Sequence, residues 1–208
     1  KVNEMSNGQI GYIHIPDMST VGLDEFTKLF YTQLDKKALI IDDRMNGGGN
    51  VSPMIIERLQ REVYRMNMYR NGSEGLATIP ESTHHGPKVC LVDKYSSSDG
   101  DLFPYGFQKL GIGPLIGTRT WGGIVGISGS KPYVDGQDVR TPFFTSYSTD
   151  GKWILENEGV TPDIYVDINP FEDYLGNDAQ LKKAVEVLLE QIKTYPQLPG
   201  VPKPRVMD

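Results

Sequence analysis

The run Tyr95-Ser96-Ser97-Ser98-Asp99-Gly100-Asp101 follows directly on the apolar stretch Lys88-Val89-Cys90-Leu91-Val92-Asp93-Lys94. A buried strand that runs into a serine cluster and then into a helix sets a hydroxyl at a helix N-terminus. Backbone N–H groups are free there, and the helix dipole favours developing negative charge. Ser98 is then a candidate nucleophile. The same residues also suit a helix cap, since Ser and Asp are preferred at that position. On this stretch alone, capping is the stronger account.

Other residues could join that chemistry. Asp43-Arg44-Met45-Asn46-Gly47-Gly48-Gly49-Asn50 follows a second apolar run, and consecutive glycines let a backbone turn tightly and approach a ligand closely. A flexible loop is the competing account. The Walker Lys-Ser/Thr and the Gly-x-Gly-x-x-Gly spacing are both missing, which argues against a nucleotide site. A second glycine-bearing turn, Thr118-Arg119-Thr120-Trp121-Gly122-Gly123, lies further on, and Trp153-Ile154-Leu155-Glu156 puts an acid beside an apolar run. His14 falls inside a strand pattern and reads as a satisfied or solvent-facing histidine. His84-His85 falls in a polar stretch, reads as part of a solvated loop, and has no acidic or cysteine partner at a metal-ligand spacing.

The chain of 208 residues suits one main domain, and 38% hydrophobic residues suffice for a sizeable core. A net charge of −6 leaves no basic surplus to neutralise phosphates, so a nucleic-acid partner is not expected. No apolar stretch approaches the ~18 residues of a membrane span, and no signal peptide is visible. The chain begins at Lys1 and reads as a fragment or a processed form. The single cysteine, Cys90, excludes an internal disulfide and reads as a small buried hydrophobe.

The elements that must hold these residues follow from periodicity. Gln9 to Ile15 is β-branched and aromatic and predicts a strand. Phe26, Leu29, Phe30 and Leu34 predict a helix over Leu23–Asp35, with Asp24 and Glu25 in its first turn. Ala38–Asp42 is continuously apolar up to its acid, as in a parallel strand buried on both faces. Ile55, Ile56, Leu59, Val63 and Met66 predict a helix over Pro53–Met66. Asn71–Pro87 reads as a surface loop. A helix over Leu102–Leu110 carries Pro104, and Ile112–Gly117 reads as a strand. Turn signals between Lys131 and Val160 predict hairpins. Ile164–Asp167 reads as a last strand. Asn177–Thr194 reads as a helix opened by an Asn177/Gln180 capping box. The tail from Pro196 to Asp208 is proline-rich.

Four motifs line up in order: Asp42-Asp43-Arg44-Met45-Asn46-Gly47-Gly48-Gly49, Ser97-Ser98-Asp99-Gly100-Asp101, Gly117-Thr118-Arg119-Thr120-Trp121-Gly122-Gly123, and Glu156-Asn157 with Gly159-Val160-Thr161-Pro162-Asp163. Together they resemble the tail-specific (C-terminal processing) serine peptidases, in particular the catalytic core of their tricorn branch. The opening Gly11-Tyr12-Ile13-x-Ile15-Pro16 is similar to the strand that follows the PDZ domain in that family.

The resemblance implies an α/β, crotonase-like spiral of βαβ units with a small β-hairpin region. It implies a catalytic core over residues 1–195, a tail over 196–208, and hydrolysis of peptide bonds without metal, nucleotide or flavin. By the same resemblance Ser98 is the nucleophile and the Asp99 N–H is one oxyanion donor. The other donor comes from the triple glycine, with Gly49 favoured over Gly48. Glu156 is the acid of a Ser-His-Ser-Glu tetrad. Asn67 stands where an acid suits basic side chains in the substrate pocket, and Trp121, Gly122 and Gly123 line the substrate site. The family's base histidine and second serine lie upstream of the PDZ domain, so neither is expected in this chain, and the chain alone is expected to be inactive. A homo-oligomer is implied, and a cytoplasmic location is slightly preferred over a periplasmic one. The alternatives are a hydrophobic-ligand or peptide-binding module of the same fold, and an acyl-CoA enzyme of the crotonase type.

Overall fold

The computed structural model describes residues 1–69, 77–127 and 131–203. In chain order the elements are α1 (Val2–Met5), β1 (Ile10–His14), α2 (Thr20–Tyr31), β2 (Ala38–Asp42), α3 (Ser52–Leu59), β3 (Arg65–Asn67) and β4 (Ala77–Ile79). Then come β5 (Lys88–Val92), α4 (Asp99–Lys109), β6 (Leu115–Gly117), β7 (Ile164–Tyr165), α5 (Pro170–Tyr174) and α6 (Ala179–Thr194). β1, β2, β5, β6 and β7 form one parallel sheet in that order, with Leu39 opposite Lys88 and Cys90 opposite Leu115.

Side-chain alternation splits the core into two layers. Ile13, Leu39, Ile41, Cys90 and Val92 face one side, with Phe26 and Phe30 of α2, Ile55 of α3 and Phe103 and Phe107 of α4. Ile10, Ala38, Ile40, Val89 and Leu91 face the other, against Leu181, Ala184, Val185 and Leu188 of α6. Strands covered on both faces read as near-continuous apolar runs, and every residue of β2 and β5 is buried, with the charged Asp42 and Lys88 at their ends. In a parallel sheet, the loops beyond the carboxyl ends of the strands surround the ligand crevice. Here those loops carry the triple glycine after β2, the serine cluster after β5 and the Trp121 turn after β6.

Several sequence expectations are corrected. α2 starts earlier, at Thr20, because the Ser19 hydroxyl caps it by accepting the Val21 N–H, so its first turn holds no acid. α3 ends at Leu59, and Met66 belongs to β3, which pairs antiparallel with β4. Thus the regular hairpin lies where a helix end and a loop are predicted; residues 71–76 of that loop lie outside the described residues. Conversely, the 131–160 stretch holds no regular strand among its described residues, only bridges such as Tyr147 with Trp153. α6 is capped by Asp178, whose Oδ1 accepts the Leu181 N–H at 2.8 Å, not by Asn177.

His84 is also corrected: it is buried, with Nε2 2.9 Å from the Lys36 carbonyl. Burial, with the Lys88 charge adding to it, lowers its pKa to about 3. Lys88 opens β5, and its ammonium donates to the His84 and Gly86 carbonyls. Burial lowers its pKa to about 8. The folded state therefore binds fewer protons than the unfolded chain between about pH 8 and 10.5, so the lysine's contribution to stability improves as pH rises through that window. Relative to Lys88→Met, the wild type should gain about 2 kcal/mol between pH 8 and 10 in urea unfolding. A difference that stays flat with pH would refute the depressed ammonium.

Candidate active site

Ser98 sits at the N-cap of α4, but its hydroxyl does not cap the helix. Its backbone is at φ 56, ψ −121, a conformation that costs an L-residue energy. Its N–H donates to the Gly123 carbonyl at 3.1 Å, and its own carbonyl accepts from Asp101 and Leu102. The neighbours that read as caps do other work. The Ser96 hydroxyl donates to the Asp43 carbonyl at 2.8 Å. The Asp99 carboxylate accepts from the Ser52 N–H at 2.9 Å and the Ser52 hydroxyl at 2.5 Å. In the first turn of α4 the Gly100 N–H donates to the Ser97 carbonyl at 2.7 Å and the Asp101 N–H to that of Ser98 at 2.9 Å, whereas the Asp99 N–H has no acceptor among the described residues.

The glycine loop lies against this turn. A Cβ on Gly48 would stand 2.6 Å from Ser98 Cβ and 2.9 Å from the Asp99 nitrogen, so only glycine allows the approach. Asn46 holds the loop: its Oδ1 accepts the Gly48 N–H at 2.9 Å, its Nδ2 donates to the Ile15 carbonyl, and its carbonyl accepts the Ser97 N–H. The Gly48 N–H is therefore spent. Gly49 has φ 151 and forms a parallel bridge with Met18. Beneath the loop, Asp43 is fully buried, and neither carboxylate oxygen has a partner among the described residues. Burial first, and the charges of Asp42, Asp93, Asp101 and Asp99 next, push its pKa well above the usual carboxylate range.

The Trp121 turn closes the third side. The Trp121 N–H donates to the Ser96 carbonyl, and the exposed indole covers Gly123. Asp101, fully buried, accepts the Gly122 N–H at 2.8 Å and the Gly123 N–H at 3.2 Å. Glu156 Oε2 then accepts the Ile124 N–H at 2.8 Å and the Val125 N–H at 3.0 Å. Ser98, Asp99, Gly48, Gly49, Gly122, Gly123 and Glu156 are thus joined by a chain of direct contacts. Asn67 is not: it lies on β3, accepts from Arg65, and lines a groove with Leu198–Pro202.

None of the three histidines contacts this cluster. His14 is exposed at the end of β1, and His85 Nε2 lies 2.8 Å from the Pro196 carbonyl. His14 instead borders a cavity of about 690 Å³ whose wall includes Tyr12, Arg44 and Gln180. There Arg44 pairs with Asp42 at 2.6 Å and Asp178 at 2.8 Å, tying the end of β2 to α6. Among the described residues no cluster of His, Cys, Asp and Glu could hold a metal, and no helix is long and apolar enough to cross a membrane.

Sequence reasoning missed Asn46, Ser52 and Asp101. Asn46 had a signal, since Asn two residues before a glycine N–H is the pattern of an Asx-turn. The partners of Ser52 and Asp101 lie far along the chain, so no local pattern exposes them.

The model of peptidase family S41 matches residues 9–166. The chain belongs to peptidase family S41. It is 41% identical over 203 residues to the tricorn protease of Thermoplasma acidophilum, covering 96% of this chain and 19% of that protein. It is 42% identical over 193 residues to a putative tricorn-like protease C-terminal subunit of Sulfurisphaera tokodaii, covering 92% and 22%. A crystal structure of the tricorn protease superposes with a TM-score of 0.87 at 41% identity, over 93% of this S41 chain and 19% of that one. The chain thus spans about a fifth of the length of these tricorn relatives. A putative peptidase from Parabacteroides merdae aligns at 25% identity with a TM-score of 0.65, over 88% of this chain and 62% of that one.

Proposed function

We propose that this chain is the nucleophile-bearing core of a serine peptidase that acts on peptide substrates. The observation that carries the proposal is Ser98 itself: a half-buried serine in a strained conformation at a helix N-terminus, with a glycine loop pressed against its Cβ. Strain of this kind persists where the surrounding structure over-determines it, as in functional turns. S41 membership and the tricorn relatives support the same reading.

In this proposal the Ser98 hydroxyl oxygen attacks the scissile carbonyl carbon and its proton passes to a base. The resulting oxyanion accepts from the Asp99 N–H and the Gly49 N–H. Gly49 is favoured over Gly48 because Asn46 already occupies the Gly48 N–H. Collapse expels the amine, which takes the proton, and water then releases the acyl group from Ser98. Glu156 keeps Oε1 available beside a backbone held by Oε2, which suits the acid of a Ser-His-Ser-Glu tetrad. The His and second Ser of that tetrad come from outside these residues, from upstream domains of the same protein. Without them the chain is inactive. The fold is read as the crotonase-like spiral, with residues 1–195 as its catalytic core. Trp121, Gly122 and Gly123 form the substrate wall, Asn67 contributes to side-chain preference, and the working form is a homo-oligomer.

The test is fluorophosphonate labelling of the full-length protein. The expected result is a single adduct, on the tryptic peptide holding Ser98, that disappears in Ser98→Ala. Absence of any adduct on protein shown to be folded would replace the peptidase with a binding module.

A further inference from the structure

Four consecutive backbone N–H groups, 122 to 125, end on two carboxylates in series. Gly122 and Gly123 donate to Asp101; Ile124 and Val125 donate to Glu156. The same segment returns a bond to the nucleophile turn, through the Gly123 carbonyl to the Ser98 N–H. Gly123 is thus gripped from both sides by the first turn of α4, at its N–H by Asp101 and at its carbonyl by Ser98.

We propose that Asp101 is a positioning residue that sets where the Glu156 carboxylate stands relative to Ser98, a role that rests on the reading of those two residues given above. The physical case is a rigidity argument. Glu156 lies 58 residues from Ser98 in sequence, and its bonds to Ile124 and Val125 place it only as well as those two N–H groups are placed themselves. They are the direct continuation of Gly122-Gly123, a dipeptide with no side chains to pack. Asp101 replaces that missing packing with two charge-assisted hydrogen bonds, accepted from the Gly122 and Gly123 N–H groups by a fully buried carboxylate. Its place in the first turn of α4 makes the anion favourable there. Asp99, two residues earlier on the same turn, holds Ser52, so one turn of helix anchors both the start of α3 and the Trp121 loop.

An amide in place of the carboxylate keeps one acceptor and turns an N–H toward the other backbone donor. D101N in the full-length protein is expected to lower kcat per fluorophosphonate-titrated site by about 10²-fold, the scale set by ångström misplacement of a catalytic group. KM for a peptide substrate is expected to rise as well, because Asp101 holds Gly122 and Gly123 of the substrate wall proposed above, so the route through Glu156 is read from kcat in the double variant. The double variant D101N/E156Q should lose no more than E156Q alone, since residues acting through one another are not additive. Hydrogen exchange on the wild-type protein gives a readout that does not depend on a variant folding: the N–H groups of 122 to 125 should exchange as slowly as those of β2 and β5. Wild-type kcat in D101N, losses that multiply in the double variant, or exchange of 122 to 125 at exposed-loop rates would each overturn the role of Asp101. Retention of activity in Ser98→Ala would instead overturn the nucleophile assignment on which it rests.

Discussion

Replacing Ser98 by glycine is expected to stabilise the fold and abolish turnover at once. At φ 56, ψ −121 a serine carries a conformational cost of about 1–3 kcal/mol that glycine does not. Glycine loses more backbone freedom on folding, about 0.5–1 kcal/mol, which offsets part of the relief. The net gain is about 1 kcal/mol, or a rise of about 2–4 °C in Tm for a chain of this size. Loss of the proposed attacking oxygen should lower kcat for peptide hydrolysis by the full-length protein by up to about 10⁶-fold. Circular dichroism melts give the first quantity, and hydrolysis by the full-length protein gives the second. A serine that served only to cap α4 would behave oppositely, costing stability and leaving turnover intact. That outcome would remove the nucleophile.

The second large effect lies at Gly49. A Cβ there would stand 1.9 Å from the Met18 carbonyl oxygen and 2.2 Å from its carbon. Met18 has no room to yield, since its carbonyl accepts from Asn50 at 2.7 Å and Val51 at 3.2 Å while its N–H donates to the Gly48 carbonyl at 2.9 Å. At φ 151 an alanine is strained even without the collision. Gly49→Ala should therefore displace the loop, cost about 3 kcal/mol of stability, and, if the Gly49 N–H is the oxyanion donor proposed above, lower kcat by about 10²–10³-fold. Gly47→Ala is the control: a Cβ there meets nothing within 4 Å, so stability should stay within about 0.5 kcal/mol. If the two alanine variants behave alike in urea unfolding and in kcat, the Gly49 N–H has no such role.

What the sequence made legible divides along physical lines. β2 and β5 announce themselves as apolar runs because a strand covered on both faces keeps its polar residues, here Asp42 and Lys88, to its ends. The α6 stripe is equally plain, since one face of a long helix meets one face of a sheet. The β3–β4 hairpin is hidden because Val63 and Met66 continue the helical spacing of α3, and only pairing with residues 77–79 shows that the helix has stopped. His84 is hidden because a polar stretch usually faces water, whereas here a distant carbonyl, that of Lys36, allows the ring to be buried. At the site, residue types were readable but backbone state was not. Nothing in Ser96-Ser97-Ser98 states that the third serine adopts positive φ, and that conformation is what supports the proposed nucleophile turn over a plain cap. Asp101 has the composition of a first-turn acid; its work is visible only when Gly122 and Gly123 come across the fold to meet it.

The placement of the two tryptophans has a spectroscopic consequence. Trp121 is 60% exposed and lies over Gly123, and Trp153 is 76% exposed, edge-on to Tyr147 at 6.0 Å and three residues before Glu156. Neither indole is in the core, so both already emit from water in the native state, and unfolding should shift their emission maximum little. Occupancy of the proposed substrate wall at Trp121 should shift it to the blue. Fluorescence from this chain is thus a gauge of its loops, and the sheet beneath them reports only through its circular dichroism.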